Sequence, residues 1–233
     1  MTDAAAADKT RLRDAATVLL VRRAPGGPQV LMGMRGAGAA FMPSKYVFPG
    51  GAVDADDANV PFAAPLGAAC AARLARHAPE GLAGALAAAA VRELWEETGL
   101  ILGTPGQWPG SVPPDWQGFA AAGMVPAASA LTFVFRAITP PGRPRRFDAR
   151  FFLADAAAVQ GDPEDFSRAC DELSHLHWVA LAAARQLNLP FITEVVLAEV
   201  AALLDRFEGA IPQPESVPFF DNAGAYSTFR RLQ

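Results

Sequence analysis

The sequence has little cysteine: Cys70 and Cys170 are the two in 233 residues. They show no C-x-x-C spacing and read as buried thiols of a reducing compartment rather than as a disulfide framework. An excess of basic charge is also missing. Twenty Lys and Arg stand against 24 Asp and Glu, a net charge of −4, which leaves no electrostatic footprint for nucleic acid. No apolar run approaches the length of a membrane span. The opening MTDAAAADKTRLRD is rich in alanine but interrupted by acids and bases, so the apolar core of a signal peptide is absent. The final Arg231-Leu232-Gln233 is not a peroxisomal address. These absences lead us to expect a cytoplasmic protein with neither a membrane nor a nucleic acid as partner. Apolar residues make up 52% and charged residues only 19%, which argues against disorder, and the length suits one domain with a sizeable core.

The most informative stretch is 82–102, LAGALAAAAVRELWEETGLIL. Its alanines favour helix, and Gly99 is placed to end that helix in a left-handed cap. Glu93, Glu96 and Glu97 stand at i, i+3 and i+4, so three carboxylates share one face while Ala87, Ala90, Val91 and Leu94 form an apolar side. Like charges at this spacing destabilise a helix. A hard divalent cation such as Mg²⁺, which takes oxygen ligands, makes the cluster tolerable. Arg92 supplies a fixed positive charge beside it. The alternative for an isolated E-x-x-E-E is a solvated helix face.

Upstream, Tyr46-Val47-Phe48-Pro49-Gly50-Gly51-Ala52-Val53-Asp54 reads as a strand entering a Gly-Gly turn, where backbone carbonyls are exposed and a ligand can approach closely. Taken together, F-P-G-G and R-E-L-W-E-E-T-G-L resemble the Nudix hydrolase signature, G-x5-E-x7-R-E-U-x-E-E-x-G-U with U a bulky aliphatic residue. The second half matches at every specified position from Arg92 to Leu100. The first half departs. The expected first Glu is Asp57, and 34 residues rather than seven separate it from Arg92. The extra stretch, with an expected helix near Leu66–His77, resembles the long-insert branch that includes peroxisomal coenzyme A diphosphatase and its bacterial relatives.

The resemblance implies metal-dependent hydrolysis of a nucleoside diphosphate linked to a further group. Mg²⁺ or Mn²⁺ would be held by Glu93, Glu96, Glu97 and the Gly50 backbone carbonyl. Glu93 would serve as ligand or base, and Arg92 would orient the carboxylates. Some relatives take the base from outside the box, and Glu164, Asp165, Asp171 and Glu172 lie in a suitable acidic region, with solvated loop residues as the alternative. Arg143, Arg145, Arg146 and Arg35 are candidates for substrate phosphate, since guanidinium forks match phosphate geometry. His175 and His177 share a strand face but lack a visible third ligand. Phe41, Phe48, Trp95 and Trp116 could stack on a base or pack in the core, and His77 is expected at the surface. Coenzyme A or an acyl ester is the favoured substrate. Nucleotide sugars, ADP-ribose and dinucleoside polyphosphates are alternatives, as is a non-catalytic ligand sensor on the same fold. A homodimer is compatible with the resemblance, because many relatives form one.

Along the chain, 1–13 is expected to be a disordered lead, followed by one domain over 14–233 with 58–81 as the insertion and 208–233 as a C-terminal extension. Ala15–Arg22 and Val30–Arg35 should pair as a hairpin across Pro25-Gly26-Gly27-Pro28. Residues 101–126 show no clear period beyond a short helix at Trp116–Ala122. Strands are expected at Leu131–Ile138, Asp148–Ala154 and Leu173–Val179. Helices follow at Ala180–Leu187 and Thr193–Phe207, and a terminal hairpin closes the chain. Strands and helices mix without regular βα alternation, which points to a mixed sheet between helices. The resemblance implies an α/β/α sandwich with a helical insertion.

Overall fold

The computed structural model describes residues 11–39, 42–76, 78–205 and 209–233. Most of the expected lead, Phe41, His77 and the end of the last expected helix at Phe207 lie outside the described residues. The organising strand is β1 (Leu12–Ala24), which turns through Gly26 and Gly27 into β2 (Gly27–Arg35) as an antiparallel hairpin. β3 (Tyr46–Val47) and β4 (Gly50–Ala52) follow. A 3-10 turn at Ala55–Asn59 leads to α1 (Ala68–Ala75) and the long α2 (Leu82–Thr98). Next come β5 (Gly103–Pro105), α3 (Gln117–Ala121), β6 (Met124–Pro126), β7 (Thr132–Ile138) and β8 (Arg146–Asp155). β9 (Leu173–Ala180), α4 (Leu181–Ala184), α5 (Phe191–Leu204), β10 (Val217–Asp221) and β11 (Thr228–Leu232) complete the order.

Nine strands form one sheet, ordered β11-β10-β7-β8-β1-β2-β3, with β4 beside β1 and β9 beside β2. It is mixed: β1 runs parallel to β8 and β10 parallel to β7, and the other pairs are antiparallel. Side-chain alternation gives the sheet two apolar faces. Val18 and Leu20 of β1 and Phe152 of β8 join the core under α1, α2 and α3, while Leu19, Val21, Phe151 and Leu153 join the core under α4 and α5. The layers are therefore helix, sheet and helix, as the sequence suggested.

Three departures have clear causes. β1 begins at Leu12, inside the expected lead, because Leu12 through Val21 have parallel partners on β8. Polar Arg13 and Asp14 hid this extension; Asp14 accepts a 2.5 Å bond from buried Arg150, so the charge there is paired. β5 and β6 form a two-stranded ribbon in the stretch read as irregular, three residues each, too short to show a period. The insertion is also less peripheral than a surface loop. Cys70 and Leu74 of α1 enter the core, and Arg73 and Arg76 bond the carbonyls of Glu215 and Gln233.

Candidate active site

The carboxylate cluster stands where α2 meets β4. Residues 85–92 of α2 are all buried, a consequence of alanines that let the helix lie close to the sheet. The helix ends at Gly99, with φ 77° and its N–H on the Trp95 carbonyl. A Cβ at Gly99 would meet Arg168 at 2.9 Å, so both the cap and the close passage of the 168–170 segment need glycine. That segment is fixed by the Cys170 N–H, which donates to the Glu96 carbonyl at 2.9 Å.

Arg92 is 3% exposed and is the hub. Its Nε and Nη2 reach the two oxygens of Asp57 at 3.1 and 3.0 Å, and Nη2 also reaches the Ala52 carbonyl at 2.9 Å. Nη1 reaches Glu93 Oε1 at 2.9 Å and Glu96 Oε2 at 3.2 Å. Asp57, 2% exposed, also accepts the Asp54 N–H at 2.9 Å. The acid at the position of the family's first Glu thus meets Arg92 across the whole insertion. Burial works against a charged guanidinium, but the bond to Asp57 and the charges of Glu93, Asp57 and Glu96 outweigh it and hold Arg92 protonated.

Glu97 is 1% exposed. Its Oε2 accepts the Gly50 N–H at 2.8 Å, whereas its Oε1 is buried without a partner. Burial first, then the charge of Glu93, push its carboxyl well above the usual carboxylate range. Burial likewise raises Glu93 to about 7, with Arg92 opposing and Glu96 adding. Glu96 is raised too, mainly by burial, with Asp115 the first like charge acting on it. Space is tight on the glycine side. A Cβ on Gly51 would overlap the Glu93 carboxyl, and one on Gly50 would meet the Ala16 carbonyl oxygen at 2.6 Å.

This donor set fits a hard divalent cation. The oxygens are carboxylates, one is orphaned in the interior, and burial raises the cost of leaving all three charged and uncompensated. Among the described residues, no three His, Cys, Asp or Glu side chains converge as a ready-made cage in their present rotamers. Arg92 Nη1 draws one oxygen each of Glu93 and Glu96 to itself, so ion binding requires those side chains to turn.

The remaining candidates divide. Arg35 and Glu172 form a 2.5 Å ion pair whose charges both act on Glu97, so the structure brings them to the cluster; Arg35 Nε is buried without a partner. Asp171 is exposed beside Glu172. Glu164 is engaged by Arg22 at 2.5 Å, and exposed Asp165 caps the Ser167 N–H. Neither is brought to the carboxylates. Arg143, Arg145 and Arg146 are not brought there either. Arg143 and Arg145 lie in the β7–β8 connection and Arg146 opens β8, in register with Leu12, while Gly50 is in register with Thr17. Five residues of strand separate the two levels by about 16 Å.

His175 and His177 are exposed and hydrogen-bonded locally, His177 Nδ1 to the His175 carbonyl oxygen. Phe48 and Trp116 are buried, and Trp95 packs on Phe119. Sequence reasoning gave Asp57 no role, although its position in the motif was the available signal. It gave no sign of Asp115 or of the Ala52 carbonyl. Two concavities lined by Arg22, Arg23 and Asp155 lie at the far end of β1 and include none of the carboxylates.

No family model matches the chain. "Putative nudix hydrolase 7" of Caenorhabditis elegans is 31% identical over 183 residues, covering 72% of this chain and 51% of that protein. An acyl-coenzyme A diphosphatase of Gallus gallus is 30% identical over 230 residues, covering 71% of this chain and 60% of that protein. The chain therefore spans between half and three-fifths of the length of these curated relatives. The crystal structure of a NUDIX hydrolase from Alicyclobacillus acidocaldarius superposes with a TM-score of 0.61 at 27% identity, over 87% of this chain and 99% of that one.

Proposed function

Because this chain belongs to the Nudix hydrolase superfamily, we propose that it hydrolyses the phosphoric anhydride of a nucleoside diphosphate derivative with Mg²⁺ or Mn²⁺. The observation that carries the reading is the Glu97 carboxylate: buried, held by the Gly50 N–H on one oxygen, orphaned on the other, and flanked by Glu93 and Glu96. Glu93, Glu96, Glu97 and the Gly50 carbonyl would hold the cation. When bound, it would neutralise the pyrophosphate charge that otherwise repels an incoming hydroxide.

Arg92 would be the positioning residue: its fork, braced by Asp57 and Ala52, holds Glu93 and Glu96 beside the site until they turn to the ion. A base takes the proton from the attacking water as its oxygen bonds phosphorus and the bridging oxygen leaves with the other phosphate. Glu93 is within the cluster; Glu172 is the second candidate, since its charge reaches Glu93 and Glu97. Arg35, beside Glu172, is suited to a substrate phosphate. Glu172 would give up its ion pair with Arg35 when phosphate arrives.

The long insertion and the likeness to an acyl-coenzyme A diphosphatase support coenzyme A esters as substrate. Cleavage would yield adenosine 3′,5′-bisphosphate and acyl-phosphopantetheine. The test is a panel run with Mg²⁺ and with Mn²⁺: coenzyme A, short and long acyl esters, ADP-ribose, NADH, UDP-glucose and a dinucleoside polyphosphate, with products identified by mass. Coenzyme A esters should be cleaved fastest. Preference for another member refutes the substrate class, and cleavage of none points to a ligand sensor or to a substrate outside the panel.

A further inference from the structure

The chain carries more acids than bases, yet strand register gathers several arginines at one end of the sheet. β1 and β8 start side by side, Leu12 opposite Arg146 and Arg13 opposite Phe147, so Arg11 and Arg145 enter the two strands from the same end. β7 finishes there too: Ile138 is opposite Asp148, and the Thr139 N–H donates to the Phe147 carbonyl at 2.8 Å. The β7–β8 connection, 139–145, therefore lies at this end, with Arg143 and Arg145 exposed on either side of Pro144. Pro140, Pro141 and Pro144 fix φ, so the connection presents both guanidinium groups with little backbone entropy left to lose.

β10 runs parallel to β7, with Phe220 opposite Ala137, so the turn 222–227 that follows it leaves at the same end. Asn222 ties that turn to β7, its Nδ2 donating to the Ile138 carbonyl at 3.0 Å. Tyr226 in the turn is 87% exposed, more than any other large hydrophobic side chain among the described residues. Nearby acids would ordinarily neutralise the arginines, but those placed here are engaged by others. Asp14 pairs with Arg150, Asp148 with Arg136 and Arg150, Asp221 with Arg230, and Asp54 with Arg13 and Arg92. Asp56, exposed beyond Asp54, is the exception. Arg11, Arg143 and Arg145 are exposed and have no carboxylate partner among the described residues.

We propose that this end of the sheet docks reversibly on an anionic phospholipid surface, Arg11, Arg143, Arg145 and Arg146 meeting lipid phosphates and Tyr226 entering the headgroup layer. Clustered arginines are attracted to such a surface, and a tyrosine, apolar in its ring and polar at its tip, suits the boundary between lipid and water. The groups are strung along the sheet end rather than gathered in a pocket. From β11 to β1 is four strand spacings, about 19 Å, wider than a single headgroup. The two concavities beside Arg22 and Arg23 lie at the opposite end of β1. This departs from the expectation of no membrane partner, because a net charge of −4 sums over the whole chain while a membrane meets one side of it. The Arg146 and Gly50 levels are about 16 Å apart, so the surface is separate from the carboxylate cluster.

The test is co-sedimentation of the full chain with vesicles of phosphatidylcholine alone, and of phosphatidylcholine with about one-third phosphatidylserine, at about 0.1 M salt. Wild type should bind the anionic vesicles and not the neutral ones. An arginine near such a surface contributes about fivefold, so Arg143→Ala combined with Arg145→Ala should weaken binding about 25-fold. Tyr226→Ser should weaken it several-fold. Arg185→Ala should leave it unchanged, since Arg185 follows a helix that starts at the opposite end of the sheet. All four side chains are exposed, and circular dichroism checks that the variants fold. A wild type that ignores anionic vesicles overturns the proposal, as does binding that survives the double substitution. Equal losses for Arg185→Ala and for Arg143→Ala alone overturn it too, because overall charge would then decide. Binding indifferent to Tyr226→Ser overturns the lipid assignment and leaves a site for soluble polyanions.

Discussion

Replacing Glu97 with Gln should reduce turnover by two to three orders of magnitude or more, the effect of losing several kcal/mol of charge stabilisation. In metal-free buffer the same substitution should leave the melting temperature unchanged or raise it. The second outcome makes the test discriminating. In the absence of a cation, Glu97 is an interior carboxylate with one orphaned oxygen and a like charge beside it, an arrangement that costs stability. Glutamine keeps the volume, can keep its carbonyl on the Gly50 N–H, and adds a donor facing Glu93. A residue retained for packing would give the opposite pattern, a lower melting temperature with turnover intact. Paired melting curves in chelator and turnover assays with Mg²⁺ separate the cases. Retained turnover, or a fall of several degrees without metal, would contradict the assignment.

Asp57→Asn should have the second largest effect, and of a different kind. It removes one charge from a pair in which both members are buried, leaving Arg92 without its main counter-charge. Breaking a buried pair on one side costs about 3–5 kcal/mol. For a domain of this size that corresponds to a fall in melting temperature of roughly 6–20 °C. Turnover should fall as well, because Arg92 Nη1 places Glu93 and Glu96 only while its other nitrogens are held. Asp57→Glu, which restores the residue type usual at this position of the motif, should recover part of both losses. Melting within about 1 °C of wild type for Asp57→Asn would show that Ala52 and the glutamates brace Arg92 on their own.

What the sequence made legible follows the range of the forces involved. The span of α2 and its Gly99 cap depend on propensity and one left-handed residue, both local, and appear where expected. The terminal β10–β11 hairpin was readable from its Asp-Asn-Ala-Gly turn for the same reason. The Asp57–Arg92 pairing was not, because the insertion hides the spacing and only the folded sheet brings the two ends together. Nor was the start of β1: Arg13 and Asp14 look like solvated residues until β8 supplies a parallel partner and Arg150 a counter-charge. The structure does not bring Arg143, Arg145 and Arg146 to the carboxylates, for a geometric reason. Composition records charge, but strand register decides at which level of the sheet that charge sits.

The account stands most directly on where a divalent cation binds. Crystals soaked with Mn²⁺ and measured at its absorption edge locate the ion without assuming any ligand. The account predicts an anomalous peak coordinated by Glu97 and Glu93 or Glu96 beside the Gly50 carbonyl, with Glu93 and Glu96 turned from Arg92 toward the ion and Arg92 still clasped by Asp57. A peak elsewhere with none at Glu97, or no bound manganese in crystals of protein that hydrolyses its substrate, would contradict it.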